Sequence, residues 1–428
     1  MELKPGYKKT EVGVIPAEWV CEPLFAFFSF ISYGFTNPMP TVRDGVFMIT
    51  AADINDGRLQ LETARRTSKT AYQTLLTAKS KPRSNDILLT KDGTLGRLAV
   101  VGDETICINQ SVAVIRPNER VDPQFLKMLL ESPFYQKRML EDAGGSTIKH
   151  IYITIVDKMP VGLPLDKLEQ LAISQALGDV DALLCRLDKL IAKKRDLKQA
   201  AMQKLLTRET RLPGFSGEWE AKPLGHAGSC LRGVSYRGAS DLSQYDTPDT
   251  TRLLRSSNVQ QAVVVIDEIQ FVNSARVSPD QILQSNDILI CMANGSKALV
   301  GKAGVFTIHD SYKYTFGAFM SCFRTDPKIA HPQFIFHLFQ TGRYRDYINN
   351  ILAGSSINNL RPGSVESLEF DFPKLREQIA IASVLSDMDA ELKALKARRD
   401  KTRALKLSMV QELLTGRTRL VSSGGAHA

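Results

Sequence analysis

Two turn regions carry the residues best suited to chemistry. Asp86 to Arg97 reads as a strand, a tight turn at Asp92-Gly93 and a basic end. Asp287 to Lys302 repeats that order around Asn294-Gly295. Asn and Ser side chains read base edges, whereas Lys and Arg hold phosphates or guanine. Thr90, Lys91, Asp92 and Arg97 are therefore candidate nucleic-acid contacts in the first region, and Asn294, Ser296, Lys297 and Lys302 in the second. A second pair of turns, at Ser146-Thr147 and Ser355-Ser356, has the Gly-rich character that exposes backbone N–H groups to phosphate. Lys149 and His150 follow the first of these turns; Asn358, Asn359 and Arg361 follow the second. The loop Leu231 to Gly238 adds Arg232 and Arg237 around Tyr236. For any one of these residues a solvated hairpin turn is as good a reading. Their recurrence in both regions is what favours DNA.

Catalytic signatures fail on spacing. Gly295 to Ala303 resembles a phosphate-binding loop, but five residues separate Gly295 from Gly301 where that loop has four. Ala303 also stands where Ser or Thr would hold magnesium. No Gly-x-Gly follows a strand, so a dinucleotide or S-adenosylmethionine fingerprint is missing. Asn37-Pro38-Met39-Pro40 lacks the adjacent proline and stacking aromatic of an amino-methyl-transfer loop, and reads as a turn. Asp267-Glu268 has no lysine at nuclease spacing. His150, His226 and His309 belong to no ligand cluster, so no metal site is expected.

Composition bounds the classes. The 428 residues are 43% hydrophobic and 24% charged, with a formal net charge of +9. Two or three domains and a mild affinity for polyanions fit these values. The six cysteines, Cys21, Cys107, Cys185, Cys230, Cys291 and Cys322, form no Cys-x-x-Cys pair and suggest a reducing cytoplasm. No apolar run is long enough to span a membrane, and the N-terminal residues lack the apolar segment of a signal peptide. The tail from Ser422 to Gly425 is expected to be disordered.

The elements that would position the candidate residues repeat. Leu177, Val180, Leu184, Leu187 and Ile191 recur in alternating steps of three and four, a coiled-coil seam inside 166–208. About 40 residues at 1.5 Å rise make a rod of roughly 60 Å. The stretch 375–417 matches it: Glu169-Gln170 falls on Glu377-Gln378, and Leu205-Leu206-Thr207 on Leu413-Leu414-Thr415. After a one-residue slip, Thr210-Arg211-Leu212 falls on Thr418-Arg419-Leu420. Upstream, Glu18-Trp19 matches Glu218-Trp219, Asn85-Asp86-Ile87-Leu88 matches Asn286-Asp287-Ile288-Leu289, and Pro123-Gln124-Phe125 matches Pro332-Gln333-Phe334. A heptad alone would not reproduce these polar matches, so the chain holds an internal repeat of about 200 residues. Strands are expected at Val46–Thr50, Asp86–Thr90, Leu98–Val101 and Ser111–Arg116, and a helix over Pro123–Met139. Between the anchors, 34–82 and 232–283 show little similarity. Basic residues cluster on both rods, at Lys189, Lys193, Lys194, Arg195 and Lys198, and at Lys393, Lys396, Arg398, Arg399, Lys401, Arg403 and Lys406.

This order of module and rod, with its Trp openings, Asn-Asp-Ile-Leu strands and Leu-Leu-Thr helix ends, resembles the specificity subunit of type I restriction–modification systems. The likeness runs from about Ile15 to Leu420. It implies an α+β protein with a first target-recognition domain over 1–165, a spacer helix over 166–208, a second recognition domain over 209–373, a spacer helix over 374–417 and a flexible tail over 418–428. The two helices would pack as an antiparallel coiled coil and set the number of unread bases. Each module would read one half of a split double-stranded DNA target. The resemblance further implies a subunit without an active site or cofactor. Two methyltransferase (modification) subunits and the restriction (motor) subunits would join it, and S-adenosylmethionine, ATP and magnesium would sit on those partners. A structural coiled-coil scaffold and a stand-alone DNA methyltransferase or nuclease are the alternative readings of the residues.

Overall fold

The seam from Leu177 to Ile191 lies on one unbroken helix, Lys167–Leu206, and its repeat lies on another, Leu375–Leu413. The computed structural model describes residues 4–141, 149–354 and 358–421. It forms two compact units, Met1–Asp188 with Arg398–Ala428, and Lys189–Ala397. The division falls inside both long helices. Each unit thus holds the start of one and the end of the other. Only a paired helix can bury a stripe this narrow.

Within each unit the two helix segments run antiparallel. In the first, Lys406 pairs with Asp181 at 2.6 Å and Arg399 with Asp188 at 3.7 Å. In the second, Lys194 pairs with Glu391 at 2.7 Å and Lys198 with Asp389 at 2.5 Å. Leu177 and Leu187 are buried on the seam in the first unit, and Ile191, Leu385 and Leu392 in the second. Four of the basic side chains that mark the rods are therefore engaged across the helix pair.

The repeated motifs have structural work. Asn85 and Asn286 adopt φ of 69° and 70°, the left-handed region that Asn tolerates better than most residues. Asp86 and Asp287, 1% and 3% exposed, follow them. Asp86 accepts two hydrogen bonds from the Arg116 guanidinium, at 2.8 and 2.7 Å. Asp287 accepts the same pair from Arg324, at 3.0 and 2.6 Å. Gln170 and Gln378 each clamp the chain entering their helix, donating to the Pro164 and Pro373 carbonyls. Glu169 is bound by Arg419, and Glu377 by Arg211, so each helix start is held by the arginine that follows the end of the other helix. Trp19 packs in one core with Leu413 and Leu414, and Trp219 in the other with Leu205 and Leu206.

A four-stranded antiparallel sheet organises the first unit, in the order Leu98–Val100, Ile87–Thr90, Val112–Pro117, Phe28–Tyr33. Beside it Ile106–Ile108 runs parallel to Val46–Ile49, which pairs with Arg65–Thr67. The second unit repeats the plan with Gly228–Arg232, Met320–Thr325, Ile288–Cys291 and Ala303–Val305, and with Tyr314–Phe316 parallel to Thr250–Leu254. The apolar residues alternate with the pleat and bury against the helices at Pro123–Glu131 and Pro332–Leu338. One expectation changes. The helix over Pro123–Met139 is two helices, Pro123–Glu131 and Pro133–Glu141. Ser132 takes ψ 147°, because the residue before proline is forced out of the helical region.

Candidate nucleic-acid interface

Hydrogen bonds align the two modules residue by residue at the predicted turns. Lys91 and Asp92 both donate their N–H groups to the Ser111 carbonyl; Met292 and Ala293 do so to Phe319. The Lys91 carbonyl accepts from Ile151, and that of Met292 from Leu360. Asp92 bridges to His150, and Ala293 to Asn359. Lys91 thus corresponds to Met292, and Asp92 to Ala293. This shifts the sequence match of Asp92-Gly93 with Asn294-Gly295 by one residue. The backbone ladder, not the Gly, fixes the register. Gly96 and Gly301, at φ 79° and 80°, make the matching left-handed corners before Arg97 and Lys302.

In the first unit the structure brings Lys91, Asp92 and His150 together. Asp92 lies 2.6 Å from the His150 Nδ1 and 2.9 Å from the Lys91 Nζ. Partial burial opposes ionisation of Asp92, but the hydrogen bonds from His150 and Lys91 outweigh it and hold its carboxyl below the usual range. Tyr33, 41% exposed, adds an aromatic face, with the Lys91 and Lys79 ammonium groups 5.6 and 5.7 Å from its ring centre. An exposed aromatic flanked by cations can stack on a base while holding a phosphate. Lys149 is exposed beside His150.

Thr90 is a correction. It is 0% exposed, and its hydroxyl accepts a 2.9 Å hydrogen bond from the Arg97 N–H, so it closes the turn and cannot touch DNA. Arg97 is half-buried, its guanidinium donating to the Ile54 carbonyl at 3.0 Å.

In the second unit Tyr236, Asn294 and Asn358 line one cleft of about 800 Å³ with Arg255, Glu268 and Phe319. Asn294 accepts from the Ser296 N–H at 3.0 Å, and Asn358 donates to the Gly295 carbonyl at 3.2 Å. Ser296, Lys297, Arg232 and Arg361 are exposed; Lys302 is half-buried. The Arg237 N–H donates to Asp241 at 2.7 Å, leaving its exposed side chain at the mouth of a short helix, Gly238–Asp241. Ser146, Thr147, Ser355 and Ser356 lie outside the described residues, as does the tail from Ser422 onward.

A model of the type I restriction modification DNA specificity domain matches twice, at residues 44–196 and 241–402. The chain belongs to this family. The specificity-domain matches fall one on each module. Among curated relatives, the chain is 32% identical to the type I restriction enzyme EcoKI specificity subunit of Escherichia coli K12 and 31% identical to the StySPI specificity subunit of Salmonella potsdam. Each match covers 42% of this chain and 38% of the relative, so it spans well under half of those proteins. A putative type I restriction enzyme specificity subunit, MjaX of Methanocaldococcus jannaschii, is 21% identical over 97% of both chains. Two solved structures share the fold. One is a type I restriction–modification S subunit from M. genitalium, with TM-score 0.61, 16% identity, and 96% of this chain and 98% of that one covered. The other comes from a study of assembly and conformational transition of the type I system, with TM-score 0.55, 16% identity, and 94% and 99% covered.

The sequence reading missed residues beside the candidate contacts: Tyr33 and Lys79 in the first unit, Arg255 and Phe319 in the second. Lys79 and Arg255 sit in the two stretches where the modules diverge, 34–82 and 232–283. That divergence was the one available signal. Tyr33 is placed by its strand pairing with Ala113, and Phe319 by the turn whose carbonyl accepts from Met292 and Ala293, and neither leaves a local mark.

Proposed function

We propose that this chain is the non-catalytic DNA-reading subunit of a type I restriction–modification complex, each module reading one half of a bipartite duplex. The observation that carries this is one backbone framework built twice with different side chains at the same turns. Asp92 and His150 in one module correspond to Ala293 and Asn359 in the other, and Lys91 to the buried Met292. A protein that reads two unlike half-sites with one scaffold needs that contrast. Exposed cations would neutralise phosphates and supply salt-dependent affinity, while the amides would read base edges and the aromatic faces would stack on bases. Two methyltransferase subunits and the restriction motor subunits would complete the complex in the cytoplasm, carrying S-adenosylmethionine, ATP and magnesium themselves. The paired helices would fix the unread spacer.

Mapping methylated bases in host DNA, with and without this chain, tests the reading. A split motif that vanishes with the chain is the expected result. Methylation that persists unchanged, or methyl transfer from a labelled donor by the isolated chain, would refute it.

A further inference from the structure

The same backbone position carries unlike side chains in the two modules, although both corners are capped alike, the Thr50 N–H donating to Asp53 and the Arg255 N–H to Asn258, each at 2.9 Å. Asn109 donates its N–H to the Ile49 carbonyl, and Gly317 to that of Leu254. Thr50 therefore corresponds to Arg255, and Ser111 to Phe319. In the first module this corner is closed upon itself. The Thr50 hydroxyl donates to Asp53 at 2.7 Å, and Ser111 donates to Asn109 at 2.6 Å while accepting from the Ala51 N–H at 3.0 Å.

In the second module the corner opens into the 800 Å³ cleft. Phe319 is 71% exposed there. The Arg255 Nε is buried without a hydrogen-bond partner, while the side chain as a whole is half-buried in the lining of the cleft. A buried, unpaired guanidinium donor is costly unless a ligand satisfies it. A carboxylate, Glu268, shares the cleft with the neutral amides of Asn294 and Asn358. A carboxylate in the same cleft repels a phosphate and disfavours one there. A mixture of fork-like donor, amides and acceptor matches base edges, where Arg pairs with guanine O6 and N7.

We propose that Arg255 is a specificity-determining residue that reads a guanine in the half-site of the second module, with Phe319 packing against the bases beside it. This rests on the DNA-reading function above. The experiment uses the full chain co-produced with its methyltransferase partner, with methylated positions mapped across the host genome. The wild-type complex should show a split motif. Arg255→Ala should relax one guanine position in one half, losing roughly ten- to a hundredfold discrimination there, and leave the other half intact. Arg255→Lys, which keeps the charge and the stem but not the fork, should relax the same position and serves if Arg255→Ala does not fold.

Uniform weakening at all sites, with the salt slope reduced by about one, would make Arg255 a phosphate contact and overturn the assignment. So would an unchanged motif, or a relaxed position that is not guanine. Absence of any split motif in the wild type would instead defeat the DNA-reading function itself.

Discussion

Replacing Asp287 by Asn tests whether the repeated Asn-Asp-Ile-Leu motif is a structural lock. Asp287 is 3% exposed and accepts from Arg324 at 3.0 and 2.6 Å, with a third bond at 2.7 Å from the Gln284 N–H. Asn keeps the shape and one acceptor oxygen, so the backbone bond survives. The two bonds to the guanidinium lose their charge, and one must face an NH₂ group. Hydrogen bonds to charged groups contribute about 1.5–3 kcal/mol each, so the change should cost roughly 3 kcal/mol. The low end of the 3–5 kcal/mol range for a broken buried pair is appropriate, because the Arg324 side chain is 21% exposed and water can reach it. Urea unfolding followed by circular dichroism of the full chain measures it. Asp86→Asn, which breaks the equivalent pair with Arg116, should lose a similar amount in the other module. Arg324→Met combined with Asp287→Leu should cost less than the sum of those two substitutions made singly, since each single strands the other charge and the pair strands none. A loss below about 0.5 kcal/mol for Asp287→Asn would refute the argument. A double variant as unstable as the sum of the singles would do the same.

Two further outcomes follow from the cores and the site. His337 is 1% exposed, neither ring nitrogen has a partner, and burial, with Lys198 and His331 assisting and Asp389 opposing, lowers its pKa to about 4. The unfolded chain takes up this proton below about pH 6.5 and the folded chain does not, so the second module should lose stability as pH falls from 6.5 towards 4, by roughly 3 kcal/mol in all. Urea midpoints of wild type and His337→Leu at pH 7 and pH 5 check this; a pH slope that the substitution leaves untouched would exclude His337 as its source. Lys79→Met, beside Tyr33, should flatten the dependence of log K on log salt by about 0.9 without altering the methylated motif. A changed motif would show that Lys79 reads bases.

Some of this architecture is written in local chemistry. The step of three and four at Leu177, Val180, Leu184, Leu187 and Ile191 demands a paired helix, and the gapless match of Glu169-Gln170 to Glu377-Gln378 reveals the duplication. Such signals survive in one dimension because periodicity and motif order do not depend on where the chain goes next. The division into units was not legible. It cuts both helices at 188 and 397, because each helix end packs under the Trp of the other repeat. Nor did the sequence expose Thr90 as a buried turn closure, since burial depends on what pairs across the sheet.

The turns around Lys91 and Asn294 were fixed as candidate contacts by residue type alone. Only the tertiary structure decided which of them share a surface. Strand pairing brings Asp92 to His150 across 58 positions, and Asn294 to Asn358 beside Arg255. A closed polar corner at Thr50 and Ser111, against an open cleft at Arg255 and Phe319, depends on the register of hydrogen bonds between strands distant in sequence. A side chain's type is a local property. Its availability to DNA is set by whichever distant groups satisfy it first.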